Sequence, residues 1–133
     1  MLTENHITDY LAEYLEKQGH HIIKKLTSKQ KGIDLQIKKN DGKLLFIEVK
    51  GETSGVETSN RFGEYFDRNQ IWTHVSVAVM KTMLLMNDPK HKDVQFAMAF
   101  PFNHEMLLNR IKPSLYKMEI VVYFVSEHEV KLL

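Results

Sequence analysis

The chain predicts a single mixed α/β domain, a sheet flanked by helices, and three observations carry that expectation. An amphipathic helical pattern opens the chain, three short strand-like runs follow it, and a long apolar run then leads into further strands. The predicted order is α-βββ-α-β followed by α-β-β, the pattern of a mixed sheet covered by helices. With 133 residues and 43% apolar content the chain can bury one core and is too short for two ordinary domains, so residues 1–133 are expected to form one unit.

Residues 3–18 predict a helix, with Thr3 as N-cap and Gly19 as its C-terminal stop. At 100° per residue Ile7, Leu11, Tyr14 and Leu15 share one face, with Asp9, Glu13 and Glu16 opposite. Glu4 departs from the other acids, because it lies one turn before Ile7 on the apolar face; it is either a site residue or a first-turn acid complementing the helix dipole. Residues 21–26, 32–38 and 43–50 predict three strands, the last two joined by the turn signal Asn40-Asp41-Gly42. Residues 51–67 carry Gly, Ser, Thr and charge without a period and predict a loop.

Residues 69–86 are nearly all apolar and long enough to predict a buried helix, with Gln70, His74 and Lys81 forming one polar stripe. Trp72 and the methionines are assigned to the core. Residues 94–100 predict a strand stopped by Pro101, residues 104–116 a helix kinked or ended by Pro113, and residues 119–125 and 129–133 two final strands.

Composition excludes several chemistries. There is no cysteine, so a disulfide framework, a thiol nucleophile and a zinc ribbon are ruled out, and a bound metal would need oxygen or imidazole ligands. The opening MLTENHITDY lacks a signal-peptide pattern, and no run reaches the roughly 18 apolar residues of a membrane span. A cytoplasmic protein without membrane contact or organic cofactor is expected. Net charge is only +1, but Lys24 to Lys50 holds eight lysines, Lys31 among them, against three acids. That segment suits either a phosphate backbone or a solvated edge that discourages strand pairing. Of the seven histidines, His6, His91, His104 and His128 are expected at the surface, and His74 either at the site or as a core histidine.

The hairpin carries the chemistry. Alternation puts Asp34 and Gln36 on one face of the second strand, and Phe46, Glu48 and Lys50 on one face of the third. A turn centred on Asp41 sets Asp34 opposite Glu48. Two facing carboxylates repel, so either a cation or an ion-pair network, with Lys50 joined by Lys24 or Lys25, must offset them. Mg²⁺ takes one or two carboxylates with further oxygen ligands, and the Val49 carbonyl is placed to add one. Lys50, on the face of Glu48, would orient an attacking water or stabilise developing charge.

Gly32-Ile33-Asp34 followed by Ile47-Glu48-Val49-Lys50 resembles the signature of the PD-(D/E)xK nuclease superfamily, which includes restriction endonucleases and Holliday-junction resolvases. Ile33 stands where the name-giving proline would be. The resemblance implies a restriction-endonuclease-like fold and a Mg²⁺- or Mn²⁺-dependent deoxyribonuclease. Asp34, Glu48 and Lys50 would be catalytic, with Gln70 as an active-site glutamine, and Glu4 would complete a metal shell with Asp34, Glu48 and Val49. DNA is the implied partner, with Lys31, Arg61, His74 and Lys81 as candidate contacts. Pairing of two copies through the exposed last strand is a further implication. The other reading is a non-cleaving module, binding nucleic acid or protein, on the same fold.

Overall fold

Thr3 starts the first helix, α1 (Glu4–Lys17), in the computed structural model of the chain, which describes residues 1–52 and 67–133. Its hydroxyl accepts from the His6 N–H, and the His6 ring accepts from the Thr3 N–H, so two of the orphan donors at the helix start are satisfied reciprocally. Gly19 follows the end with φ +91°, a left-handed conformation that glycine adopts without a Cβ clash.

The strands are β1 (His21–Lys25), β2 (Leu35–Lys38), β3 (Leu44–Val49), β4 (Val94–Phe100), β5 (Ile120–Val125) and β6 (Val130–Leu132), side by side in that order. The hairpin register is as predicted: Leu35 faces Ile47, Gln36 faces Phe46 and Ile37 faces Leu45. Its three-residue turn closes with the Gly42 N–H donating to the Lys39 carbonyl, and Gly42, at φ +89°, takes the left-handed position such loops require. The second strand is shorter than expected. Gly32, at φ +133°, breaks the extended run, so β2 begins at Leu35 and Asp34 stands just before it. A bulge at Ile23 and the neighbouring Lys24 and Lys25 mark β1 as a guarded edge strand.

After β3 the chain forms α2 (Arg68–Met86) and returns as β4 parallel to β3; β5 lies parallel to β4, and β6 closes antiparallel. The sheet is therefore mixed and helix-covered, as expected, and consistent with a restriction-endonuclease-like α/β fold. On one face α1 packs Ile7, Leu11 and Leu15 against Leu35, Ile47, Val49 and the small Ala97 and Ala99. On the other, α2, α3 (Glu105–Arg110) and α4 (Lys112–Lys117) cover Met98, Phe100, Val122 and Phe124. Ala on one side of β4 and Phe or Met on the other let the two layers sit at different depths over one strand.

The helix expected over 104–116 is broken near Pro113 as expected: two short helices meet at Ile111, because Pro113 has no N–H and fits only in the first turn of α4. Two expectations are corrected here. His104, expected at the surface, is fully buried against the Phe100 ring, since the turn after β4 folds back under α2. The long helix is not buried all round: Val75, Ala78 and Thr82 face inward, while Trp72, Met80 and Leu84 are mostly exposed, because sheet lies under one side only. Met106 is also exposed, whereas Met98 is core as expected. Among the described residues no helix is long and apolar enough to cross a membrane.

Candidate active site

The parallel strands β3, β4 and β5 finish at one end of the sheet, and in open α/β sheets ligands bind outside such carboxyl ends. Glu48, one residue from the end of β3, points to the α2 side and is 5% exposed. Lys50 follows on the same side and is also buried; its N–H donates to the Ala99 carbonyl at 2.9 Å, which carries the β3–β4 ladder one residue past the strand. Val49 therefore directs its backbone groups the other way, toward β2. There its N–H donates to Asp34 Oδ2 at 2.8 Å, so the carboxyl takes the place of a ladder carbonyl that the shortened β2 does not supply. The Val49 carbonyl points to that same edge.

Two helices complete the cluster. Glu4 arrives from α1, with Oε1 3.9 Å from Lys50 Nζ. Its approach depends on Gly51, where an added Cβ would lie 2.6 Å from the Glu4 backbone nitrogen and 2.8 Å from the Thr3 carbonyl carbon. Glu52 then binds the chain start, accepting from the Leu2 N–H with its side chain and donating its own N–H to the Leu2 carbonyl. From α2, Lys81 brings Nζ to 3.5 Å from Glu48 Oε1, while Lys50 Nζ lies 3.4 Å from that same oxygen. The ammoniums beside Glu48 are those of Lys50 and Lys81. Lys24 is not among them, and Lys25 binds Asp9 at 2.8 Å instead.

Three carboxyls thus stand near two ammoniums. Burial, with Glu48 opposite, pushes Asp34 up to about 7, against the pull of the Val49 N–H. Burial also raises Glu4, although Lys50 draws it back. On the other side of Lys50 stand two imidazoles. Burial and the lysine charge push His74 down to about 4, and burial beside His74 pushes His104 down to about 3, so both are neutral at physiological pH. Their rings lie 5.7 Å apart, and His104 Nδ1 meets Asn103 Oδ1 at 2.6 Å.

The structure thus gathers Glu4, Asp34, Glu48, Val49, Lys50 and Lys81, and turns His74 inward beside Lys50. Gln70 is used otherwise: its Oε1 accepts from the Asp67 N–H, and its own N–H donates to Asp67 Oδ1, a capping box at the start of α2. Lys31 is exposed and forms no ion pair with a described residue. Arg61 lies outside the described residues. Sequence reasoning missed Gly51 and His104. A glycine directly after an apolar strand is the signal for the first, since it marks a close backbone approach; His104 carried none.

Among the described residues no three His, Asp or Glu side chains converge to hold a metal ion. The donor set instead fits a hard cation that keeps several waters, held by Asp34, Glu48 and the Val49 carbonyl, with Glu4 engaged by Lys50.

Fold and cluster together define a mixed α/β protein of restriction-endonuclease-like architecture with one buried acid, two half-buried ones and a buried lysine at the carboxyl ends of its strands. Residues 3–65 match the family model described as Protein NO VEIN, C-terminal. That stretch contains α1, β1 to β3 and five members of the cluster, Glu4, Asp34, Glu48, Val49 and Lys50. No curated protein and no solved structure matches the chain.

Proposed function

We propose that the chain is a divalent-metal-dependent deoxyribonuclease of the PD-(D/E)xK type that hydrolyses DNA phosphodiester bonds. The observation that carries this reading is the buried Glu48–Lys50 pair, with Asp34 bound to the intervening Val49 N–H, at the carboxyl end of the sheet. Asp34, Glu48 and the Val49 carbonyl hold Mg²⁺ or Mn²⁺, which when bound supplies a more acidic water and positive charge for phosphoryl oxygens. Lys50, fixed between Glu48 and Glu4, orients the attacking water and offers its ammonium to charge developing on the phosphate. Lys81, whose side chain is 56% exposed beside Glu48, is placed to contact a neighbouring backbone phosphate.

The test uses wild type, Asp34→Asn and Lys50→Met with supercoiled plasmid and single-stranded DNA, in Mg²⁺, in Mn²⁺ and in chelator. Wild type is expected to cleave only with the divalent ion, and each variant to lose at least about 100-fold in rate, the scale of a deleted transition-state contact. Thermal melting supplies a second readout: the ion should raise the Tm of wild type and not that of Asp34→Asn. Full cleavage by either folded variant overturns the assignment.

One observation favours a second reading, a module that binds DNA without cutting it. Glu48 already has two lysines within 3.5 Å, which compensate its charge with protein groups alone. DNA binding with neither cleavage nor an ion-dependent Tm shift would select it.

A further inference from the structure

Helix α2 presents to solvent a face that does not belong on a surface. Trp72 is 60% exposed, Met80 58%, Leu84 66%, Val77 39% and Met83 38%, and all five fall within an arc of about 140° on the helical wheel. The only other helix residues in that arc are Asn69, Thr73 and Ser76, so it carries no charge along its whole length. At roughly 200 Å² for a large side chain, the exposed parts of the five add up to about 500 Å², in the upper part of the range for a monomer's largest apolar patch, a size at which such patches commonly serve a function. Two such faces together reach about 1,000 Å², the area from which a specific interface begins.

We infer that this face is an isologous interface on which α2 of a second copy lies antiparallel. The order of side chains along the helix points to that occupant. A two-fold axis crossing the stripe at its midpoint, level with the inward-facing Ala78, sets Trp72 level with Met83 and Leu84 of the second copy. It sets Ser76 level with Met80 of the second copy. Met80 and Met83 of one half therefore meet Ser76 and Thr73, the small residues of the other, Trp72 packs at the end of the stripe, and the same fit repeats across the axis. Trp72 beside a methionine sulfur is a favourable contact in its own right. Asn69 and Asn87, level with each other across the axis, close both ends with amides, giving an apolar centre and a polar rim. A partner recognised by charge finds nothing on this face to recognise. The interface would be formed by α2 and not by the three-residue strand β6, the edge to which the sequence had pointed.

Sedimentation equilibrium of the full chain over a wide concentration range, compared with Met80→Glu, tests this. Wild type should associate to a dimer, and Met80→Glu should weaken association at least about ten-fold, as expected for a charge at the centre of an apolar interface. Its circular dichroism and Tm should stay unchanged when both are compared as monomers, because Met80 is already exposed there. The chain has no cysteine, so Val77→Cys, close to the axis, should yield a disulfide-linked dimer on mild oxidation, whereas Glu13→Cys on α1 should not. A wild type that stays monomeric overturns the inference. So does a dimer indifferent to Met80→Glu, or one that links no better through Val77→Cys than through Glu13→Cys.

Discussion

At Gly51 a single missing methyl group decides whether two distant parts of the chain can meet. The peptide after β3 passes against the start of α1, and a Cβ there would stand 2.6 Å from the backbone nitrogen of Glu4, a distance that no side-chain rotation relieves. Gly51→Ala is therefore expected to lower stability by about 1–3 kcal/mol, read as a shift of the urea midpoint at unchanged m. Asp34, Glu48 and Lys50 were legible in the sequence because alternation and one turn signal fix which side chains share a face, and the hairpin keeps that register. Glu4 was legible as the acid on the wrong side of its helix. The tie between Lys81 and Glu48 was not, because it joins residues of separate elements whose spacing only packing sets.

At the scale of elements, the starts of α1 and α2 use the same device, a reciprocal cap that satisfies backbone donors locally. For α2 this assigns Gln70 a structural task. Gln70→Ala should cost about 0.5–1 kcal/mol in thermal or urea denaturation and leave metal-dependent cleavage per folded molecule unchanged. A loss of cleavage at full stability would instead give Gln70 a catalytic role. The same helix shows what composition cannot report. Its apolar residues predicted burial, yet the number of sides that neighbouring elements cover is a property of the assembled layers, and α2 has sheet on one side only. By contrast, the break at Ile111 was legible from Pro113, since a missing N–H acts wherever the residue sits.

At the scale of the whole molecule, buried titratable groups couple the fold to pH with opposite signs. His104 and His74 are held well below the ordinary imidazole value near 6.5, so as pH drops below that value the unfolded chain takes up protons that the folded chain refuses. Stability then falls toward acid, by up to about 1.4 kcal/mol per pH unit for the fully buried His104. Asp34, raised to about 7, works the other way: its contribution is complete below the ordinary carboxyl value near 3.9 and is lost as pH rises through 7. Glu4, also raised by burial, acts in the same direction as Asp34, so the acid limb set by the two imidazoles is opposed by two carboxyls. His104→Phe, which keeps a ring against Phe100, should flatten that limb in urea titrations at pH 7 and about pH 4.5, with little change at pH 7.

The sequence by itself determined the order of elements, the hairpin register that brings Asp34 beside β3, and the shared face of Glu48 and Lys50, because each follows from periodicity or turn chemistry within a short stretch of chain. Only the tertiary structure decided the rest. It placed Glu4 and Lys81 from opposite layers at one strand end, buried His104, and left one side of α2 bare. Those outcomes depend on how far each layer extends over the sheet, and side-chain volumes summed across the whole core set that extent, beyond the reach of any local pattern.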